Sequence, residues 1–451
     1  MSKAKKPPAS YSIPSFRTGD YASVPQQLDK LATMGFKWVT FTPTYEVKEI
    51  KQTAKSDLND VFNPIVRLWR AIFGQPTITN HYLELNDGQT PFIELKSAIL
   101  SAVKKGFNVK VEPHLDWAST LSGTSEKDWR MTMYFDPVDA KTLYGSYEEK
   151  IITPILNTIE EAEKITRPSG ANKPCYALTL GSELDVSLYA FVSGWEEMKT
   201  RAQRRRKSLG LENPRRLSIG HKLNYDVFDT NGALRRHMPN VRAEWNEPKV
   251  TPKEWQLWGQ AVMGYLRDLD YASFSFYPPI AHLVPSGFDW TKDSDPASHE
   301  KIAEIFKDHA KALRDKLGKK VPLDVGEFGL GSTDLSEPYG DHPEEFVTPD
   351  GSSFKTNHDA QAKRRLYIKA MAKFMADNKS WFEAVGKTDC CNYLPATFWT
   401  VKHYDFLGIW DYDIQVGPKS EEGQIPTAKH ELFVDEQLIE YLKKCNQRTY
   451  E

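Results

Sequence analysis

A rhythm constrains the fold of this chain more than any single motif. Short β-rich runs alternate with long segments of helical hydrophobic spacing from one end to the other. Strands are predicted at 11–16 (YSIPSF), 37–43 (KWVTFTP), 107–117 (FNVKVEPHLDW), 175–183 (CYALTLGSE), 216–223 (RLSIGHKL), 271–278 (YASFSFYP), 321–328 (VPLDVGEF) and 395–401 (PATFWTV). Helices are predicted at 24–36, 91–106, 146–165, 188–209, 252–268, 297–318, 358–378 and 429–446. Eight strands alternating with eight helices predict the α/β class and a (β/α)8 TIM barrel. The long connections 44–90, 118–145, 224–251, 279–296, 329–357 and 402–428 all follow strands. In a barrel they gather on the C-terminal face, where sites are built. That asymmetry favours a barrel over an open doubly wound sheet. With no repeat, low-complexity stretch or clear linker, residues 1–451 are expected to form one domain with long βα loops.

Composition excludes several functions. Lys plus Arg is 59 and Asp plus Glu is 61, so near-neutral charge gives no electrostatic argument for nucleic acid or an anionic membrane. The run RRRK at 204–207 follows a helical pattern with Glu196 and Glu197 before it, and reads as a solvated helix face. No apolar run has membrane-spanning length. The basic N-terminal segment has no apolar core and does not read as a signal peptide. The expectation is a cytoplasmic protein, or a secreted one if a leader precedes this sequence. Cys390 and Cys391 are adjacent while Cys175 and Cys445 are isolated, which suits neither a disulfide framework nor a zinc ribbon. Reduced thiols are expected.

Two carboxylates stand where predicted strands end. Glu327 closes the seventh strand after Gly326, and Glu183 closes the fourth after Gly181-Ser182. Strands four and seven face each other across the mouth of an eight-stranded barrel. A single acid at a strand end is more often a surface or ion-paired residue; two on opposing strands shift the balance towards chemistry. One can remain protonated and protonate a departing glycosidic oxygen while the other, ionised, attacks the anomeric carbon. Other strand ends contribute His114, Asp116 and Trp117, then Tyr277, then Trp399 followed by His403. Tyr277 is suited to donate a hydrogen bond to Glu327, and Trp399 to stack on a sugar ring. Each aromatic taken singly is more often core; their shared location is the argument, and the 12 Trp residues suit flat sugar faces.

These segments resemble clan A of the glycoside hydrolases, and within it glycoside hydrolase family 113, a family of β-mannanases. The likeness runs through VKVEPHLDW…DWR (109–130), LGSEL (180–184) and the order of elements across nearly the whole chain. It implies a retaining hydrolase of β-linked oligo- or polysaccharide, β-mannan first, with carbohydrate as partner and no cofactor. Glu183 becomes the acid/base, Glu327 the nucleophile, Tyr277 the strand-six tyrosine and Trp399 the platform. His114, Trp117, Trp129 and Arg130 become subsite candidates, with Asp116 and His403 beside them. Most of the clan has Asn before the acid/base; here that residue is Ser182, so contact with the sugar 2-hydroxyl must be made differently.

Two other readings stay open. A carbohydrate-binding barrel without catalysis would keep the cleft and lose the reaction. A metal-dependent hydrolase would use His114 and Asp116, with His221 and His403 as the remaining plausible ligands; no metal is expected. The GLGS at 329–332 lacks the Lys-Ser/Thr ending of a phosphate loop, and no G-x-S-x-G is present.

Overall fold

The structure is a computed structural model, and it describes residues 9–15, 20–55, 77–85, 90–117, 130–139, 145–166, 173–212, 216–229, 232–244, 248–276, 284–286, 288–289, 292–318, 321–328, 358–383, 396–398, 410–416, 429–434 and 436–450. Its strands are β1 (Ala9–Ser15), β2 (Trp38–Lys55), β3 (Thr77–Leu85), β4 (Asn108–Val111), β5 (His114–Trp117), β6 (Tyr176–Ser182), β7 (Leu217–Asn224), β8 (Tyr271–Phe276), β9 (Leu323–Phe328), β10 (Ala396–Phe398), β11 (Trp410–Val416) and β12 (Lys429–Val434). The order β1-β10-β9-β8-β7-β6-β4-β2, closed by parallel pairing of β1 with β2, makes a ring of eight strands. Every pairing around the ring is parallel. The fold is therefore a (β/α)8 barrel, and each of its eight strands overlaps one predicted from the sequence.

Period-two alternation decides which side chains face which layer. Val39 and Phe41 of β2, Val109 and Val111 of β4, Leu178 of β6, Ile219 and Leu223 of β7, and Leu323 and Val325 of β9 are buried in one core cluster. That cluster also holds Leu28 and Leu31 of helix Val24–Thr33, Ile155 and Ile159 of helix Thr153–Thr166, Trp195 and Met198 of helix Val192–Ser208, and Ile302 and Phe306 of helix Pro296–Leu317. The aliphatic half of these strands thus seals the helix layer, and removing such contacts from water drives the packing.

The other half points inside the ring, where a small apolar cluster of Trp38, Cys175, Ala177 and Tyr271 accompanies an otherwise largely polar set of side chains. Lys110 reaches Asp324 and Thr397 across the barrel, Thr40 meets Thr397, and Thr179 meets the Tyr271 hydroxyl, all buried. Barrels of this kind usually fill that space with branched aliphatics. Charge here extends into strand interiors, at Lys110, Lys222 and Asp324.

Other departures concern the connections. The predicted third strand is broken at Glu112-Pro113 into β4, which belongs to the ring, and β5, which pairs with the outer part of β2. Proline supplies no ladder donor, which explains the break. The connection 44–90 carries the long end of β2 and its antiparallel partner β3. The connection 224–251 contains helix Ala233–Glu244. Residues 429–434, expected as the start of the last helix, form β12, which pairs antiparallel with β11; the helix is Glu436–Tyr450. The alternating pattern KHELFV favours a strand there. Finally, Cys175 is disulfide-bonded, which corrects the expectation of four reduced thiols; its partner lies outside the described side chains.

Candidate active site

Both acids are delivered by the same local device. Between β6 and β7 the register advances from Thr179↔Gly220 to Ser182↔Lys222, so β6 carries one extra residue just before Glu183. Between β8 and β9 it advances from Phe274↔Val325 to Ser275↔Glu327, so Gly326 is the extra residue before Glu327. Such bulges bend a strand and re-aim the next side chain. Glycine is required at both. A Cβ on Gly326 would lie 2.0 Å from Ser273 Oγ and 2.8 Å from Lys222 Cδ, and one on Gly181 would lie 2.7 Å from His221 Cε1. Glu183 itself takes a left-handed backbone, φ 56°, and its N–H donates to the Lys222 carbonyl at 3.0 Å.

Glu183 is buried and its Oε2 accepts from Arg130 Nη1 at 2.6 Å. Arg130 also donates from Nε and Nη2 to Asp116 Oδ1, both at 2.8 Å. Burial pushes the Glu183 carboxyl above the usual range, the charge of Glu327 adds to the rise, and Arg130 and Lys222 oppose it. Arg130 stays charged: the carboxylates of Asp116, Glu183 and Glu327 outweigh its loss of solvent.

Glu327 sits in a different cradle. Lys222, fully buried on β7, directs its ammonium to Glu327 Oε2 at 2.9 Å, Glu112 Oε2 at 3.1 Å and His114 Nε2 at 3.0 Å. An ammonium has three donors and no acceptor, so these contacts exhaust it. His114 must accept at Nε2 and carry its proton on Nδ1. Burial, with the charges of Arg130 and Lys222, holds this imidazole neutral. The 3.6 Å approach of His114 Nε2 to Glu327 Oε2 is therefore two acceptors flanking one ammonium, not an ion pair. Lys222 remains protonated because Glu112, Glu327 and Glu183 outweigh its desolvation.

One short strand touches both acids. β5 gives His114 beside Glu327 and, two residues on, Asp116, which reaches Glu183 through Arg130. The pair of strand-end acids therefore shares one buried cluster. A second chain of charge runs below it: Asp324 Oδ2 to Lys110 Nζ at 2.6 Å, and Lys110 Nζ to Glu112 Oε1 at 2.8 Å.

The remaining expected residues divide. Trp117 lies in the core, only 5% exposed, and its indole N–H donates to Thr132 Oγ1 at 3.3 Å. Ser182 is buried immediately before Glu183, and its Oγ has no hydrogen-bond partner. Tyr277, Trp129, Trp399 and His403 lie outside the described residues. For the metal reading, His221 faces the helix layer, 4.8 Å ring to ring from Trp195 and 3.2 Å from the Tyr265 hydroxyl, so it points away from His114. Among the described residues no group of three or more His, Cys, Asp or Glu is disposed to hold a metal ion. Lys110, Glu112, Lys222 and Asp324 were not among the residues expected at the site. Their signal was present: each charge sits within or at the end of an apolar strand run, as in VKVE, HKLN and PLDVGE.

No protein-family model matches the chain, and no curated protein matches it. Solved structures similar to it include a GH113 β-1,4-mannanase, at 12% identity and TM-score 0.43 over 99% of both chains. The endo-β-1,4-mannanase from Thermotoga petrophila is 14% identical at TM-score 0.39, over 99% of this chain and 77% of that one. The hyperthermophilic endocellulase from the archaeon Pyrococcus horikoshii is 14% identical at TM-score 0.39, over 97% and 92%.

Proposed function

We propose that the chain is a retaining β-glycoside hydrolase acting on a β-linked oligo- or polysaccharide, with β-mannan as the first substrate to try. The observation that carries this reading is that Glu183 and Glu327, each behind a bulge at the C-terminal end of barrel strands three places apart in the ring, meet one buried cluster in unlike environments. Unlike environments are what separate an acid from a nucleophile. Burial and the neighbouring carboxylate favour a proton on Glu183, while the Lys222 ammonium at 2.9 Å favours the ionised form of Glu327.

In the first step the Glu183 carboxyl protonates the glycosidic oxygen as Glu327 attacks the anomeric carbon; the C–O bond to the leaving sugar breaks and a glycosyl ester forms on Glu327. Once Glu327 is esterified its charge is gone, and the carboxylate left on Glu183 is held by Arg130. In the second step Glu183 takes a proton from water, the water oxygen bonds to the anomeric carbon, and Glu327 leaves as carboxylate. The substrate preference rests on the sequence resemblance. The disulfide at Cys175 supports the secreted alternative, because such bonds persist in oxidising compartments.

The test is kinetic. Glu327→Gln is expected to abolish turnover of β-mannan and of aryl β-mannosides with the fold intact by circular dichroism. Glu183→Gln is expected to lose roughly 10²–10⁴-fold on natural leaving groups and far less on 2,4-dinitrophenyl glycosides, which need no acid. Near-wild-type turnover in the Glu327 variant removes the assignment; sugar binding by the wild type without any hydrolysis favours the non-catalytic barrel.

A further inference from the structure

We propose that Lys222 is the positioning residue of the Glu327 carboxylate, and that it is itself held by Glu112 as part of a five-membered alternating chain, Asp324–Lys110–Glu112–Lys222–Glu327, threaded through the barrel interior. The proposal rests on the hydrolytic reading above and deepens it. The chain is continuous in the structure: 2.6, 2.8, 3.1 and 2.9 Å for its four successive contacts. Both lysine side chains are 0% exposed, and those of Glu112 and Asp324 are 1% and 0% exposed. Only Glu327, at 10%, opens toward the mouth. Both ends of the chain lie on β9, three residues apart, so the lysines and Glu112 brace that strand from inside the ring.

A buried ammonium is costly to desolvate, and one stays only where its donors are met. Lys222 meets that requirement with three acceptors, and one of them is the proposed nucleophile. Pointing its charge at Oε2 fixes the carboxylate plane and favours the ionised form at the pH of reaction. It also gives Oε2 a charge-assisted donor when the carboxylate is released in the second step. Glu112 works against it by sharing the same ammonium. Among the described residues, the groups facing Glu327 include Lys222 of β7, His114 of β5, Glu112 after β4, Glu183 after β6 and Arg130, and the two cations favour ionisation while the two acids oppose it.

Opposite signs make the experiment specific. The acidic limb of kcat/KM reports protonation of Glu327. Removing the cation, Lys222→Met, raises that limb by about one pH unit and lowers kcat/KM at the optimum roughly 10²-fold; Lys222→Arg restores most of it. Removing the competing acid, Glu112→Gln, lowers the limb. A merely structural lysine would lower yield in all three variants and leave the limb in place. Because Lys222→Met can fail to fold, Glu112→Gln carries the sign independently. The Glu327 titration is also read without turnover, by NMR of protein carrying 13C-carboxyl glutamate, the resonance identified by its loss in Glu327→Gln. A limb and a resonance that stay put in Glu112→Gln overturn this proposal even in an active hydrolase. A resonance that moves as stated in a protein without glycosidase activity sustains the Lys222–Glu327 coupling and removes the hydrolytic reading instead.

Discussion

Glu183 is the only non-glycine among the described residues with a left-handed backbone. That conformation costs of the order of 1–3 kcal/mol and is held here by the Glu183 N–H to Lys222 bond and by burial on all sides. Two residues on, Asp185 is fully buried, and its Oδ2 accepts from the backbone N–H and side-chain amide of Asn224 at 3.3 and 2.8 Å. Burial raises its carboxyl to about 8, with Asp226 and Glu183 adding to the rise against the Asn224 bonds. A folded value above the unfolded one means the neutral form is the stabilising one. The contribution is therefore complete below about pH 4, and is lost as pH rises to about 8. Its slope is at most about 1.4 kcal/mol per pH unit. Asp185→Asn keeps an oxygen acceptor and cannot ionise, so its unfolding free energy in urea is expected to fall less between pH 5 and pH 8 than that of the wild type. An equal fall in both proteins would show that Asp185 is already ionised across that range.

Between elements, the base of the barrel is clasped by charge as tightly as the mouth. Arg216, just before β7, donates from Nη1 and Nη2 to the two oxygens of Glu163 at 2.7 and 2.6 Å and from Nε and Nη2 to the Pro174 carbonyl. Tyr176 of β6 adds its hydroxyl to Glu163 at 3.0 Å. Helix Thr153–Thr166 is thereby fixed to two strands at the end remote from the acids. Glu163→Ala leaves a buried guanidinium without its partner, and the expected loss is about 3–5 kcal/mol of stability. kcat/KM at 25 °C should stay within a factor of two of the wild type, since that face of a barrel serves stability. A matched loss of activity would show that the two ends are coupled. The strand–helix alternation was legible because outward strand positions and helix faces both bury aliphatic side chains, which periodicity records. The split of 107–117 into β4 and β5 was not, although Pro113 marked the place. A proline within a run shows a missing donor; which neighbour the next residues pair with depends on where β2 extends.

For the whole molecule, closure depends on a single strand. β1 joins β10 on one side and β2 on the other. Deleting residues 1–15 leaves two parallel edges unpaired and opens the polar interior to water. The truncated protein is expected to lose its cooperative urea transition and to elute as aggregate in gel filtration; a monomer with the wild-type midpoint would show that the ring closes without β1. Taken by itself, the amino-acid order determined the eight strands, their alternation with helices and the two acids that end strands four and seven of the ring, because these follow from local spacing and from short glycine-marked turns. Only the tertiary structure decided that Lys222 lies against Glu327, that Arg130 bridges Asp116 to Glu183, and that Trp117 packs in the core. Those partners are separated by up to 105 positions in the chain. Closing the ring is what brings such inward-facing charges within hydrogen-bond reach, and no local pattern encodes which of them will meet.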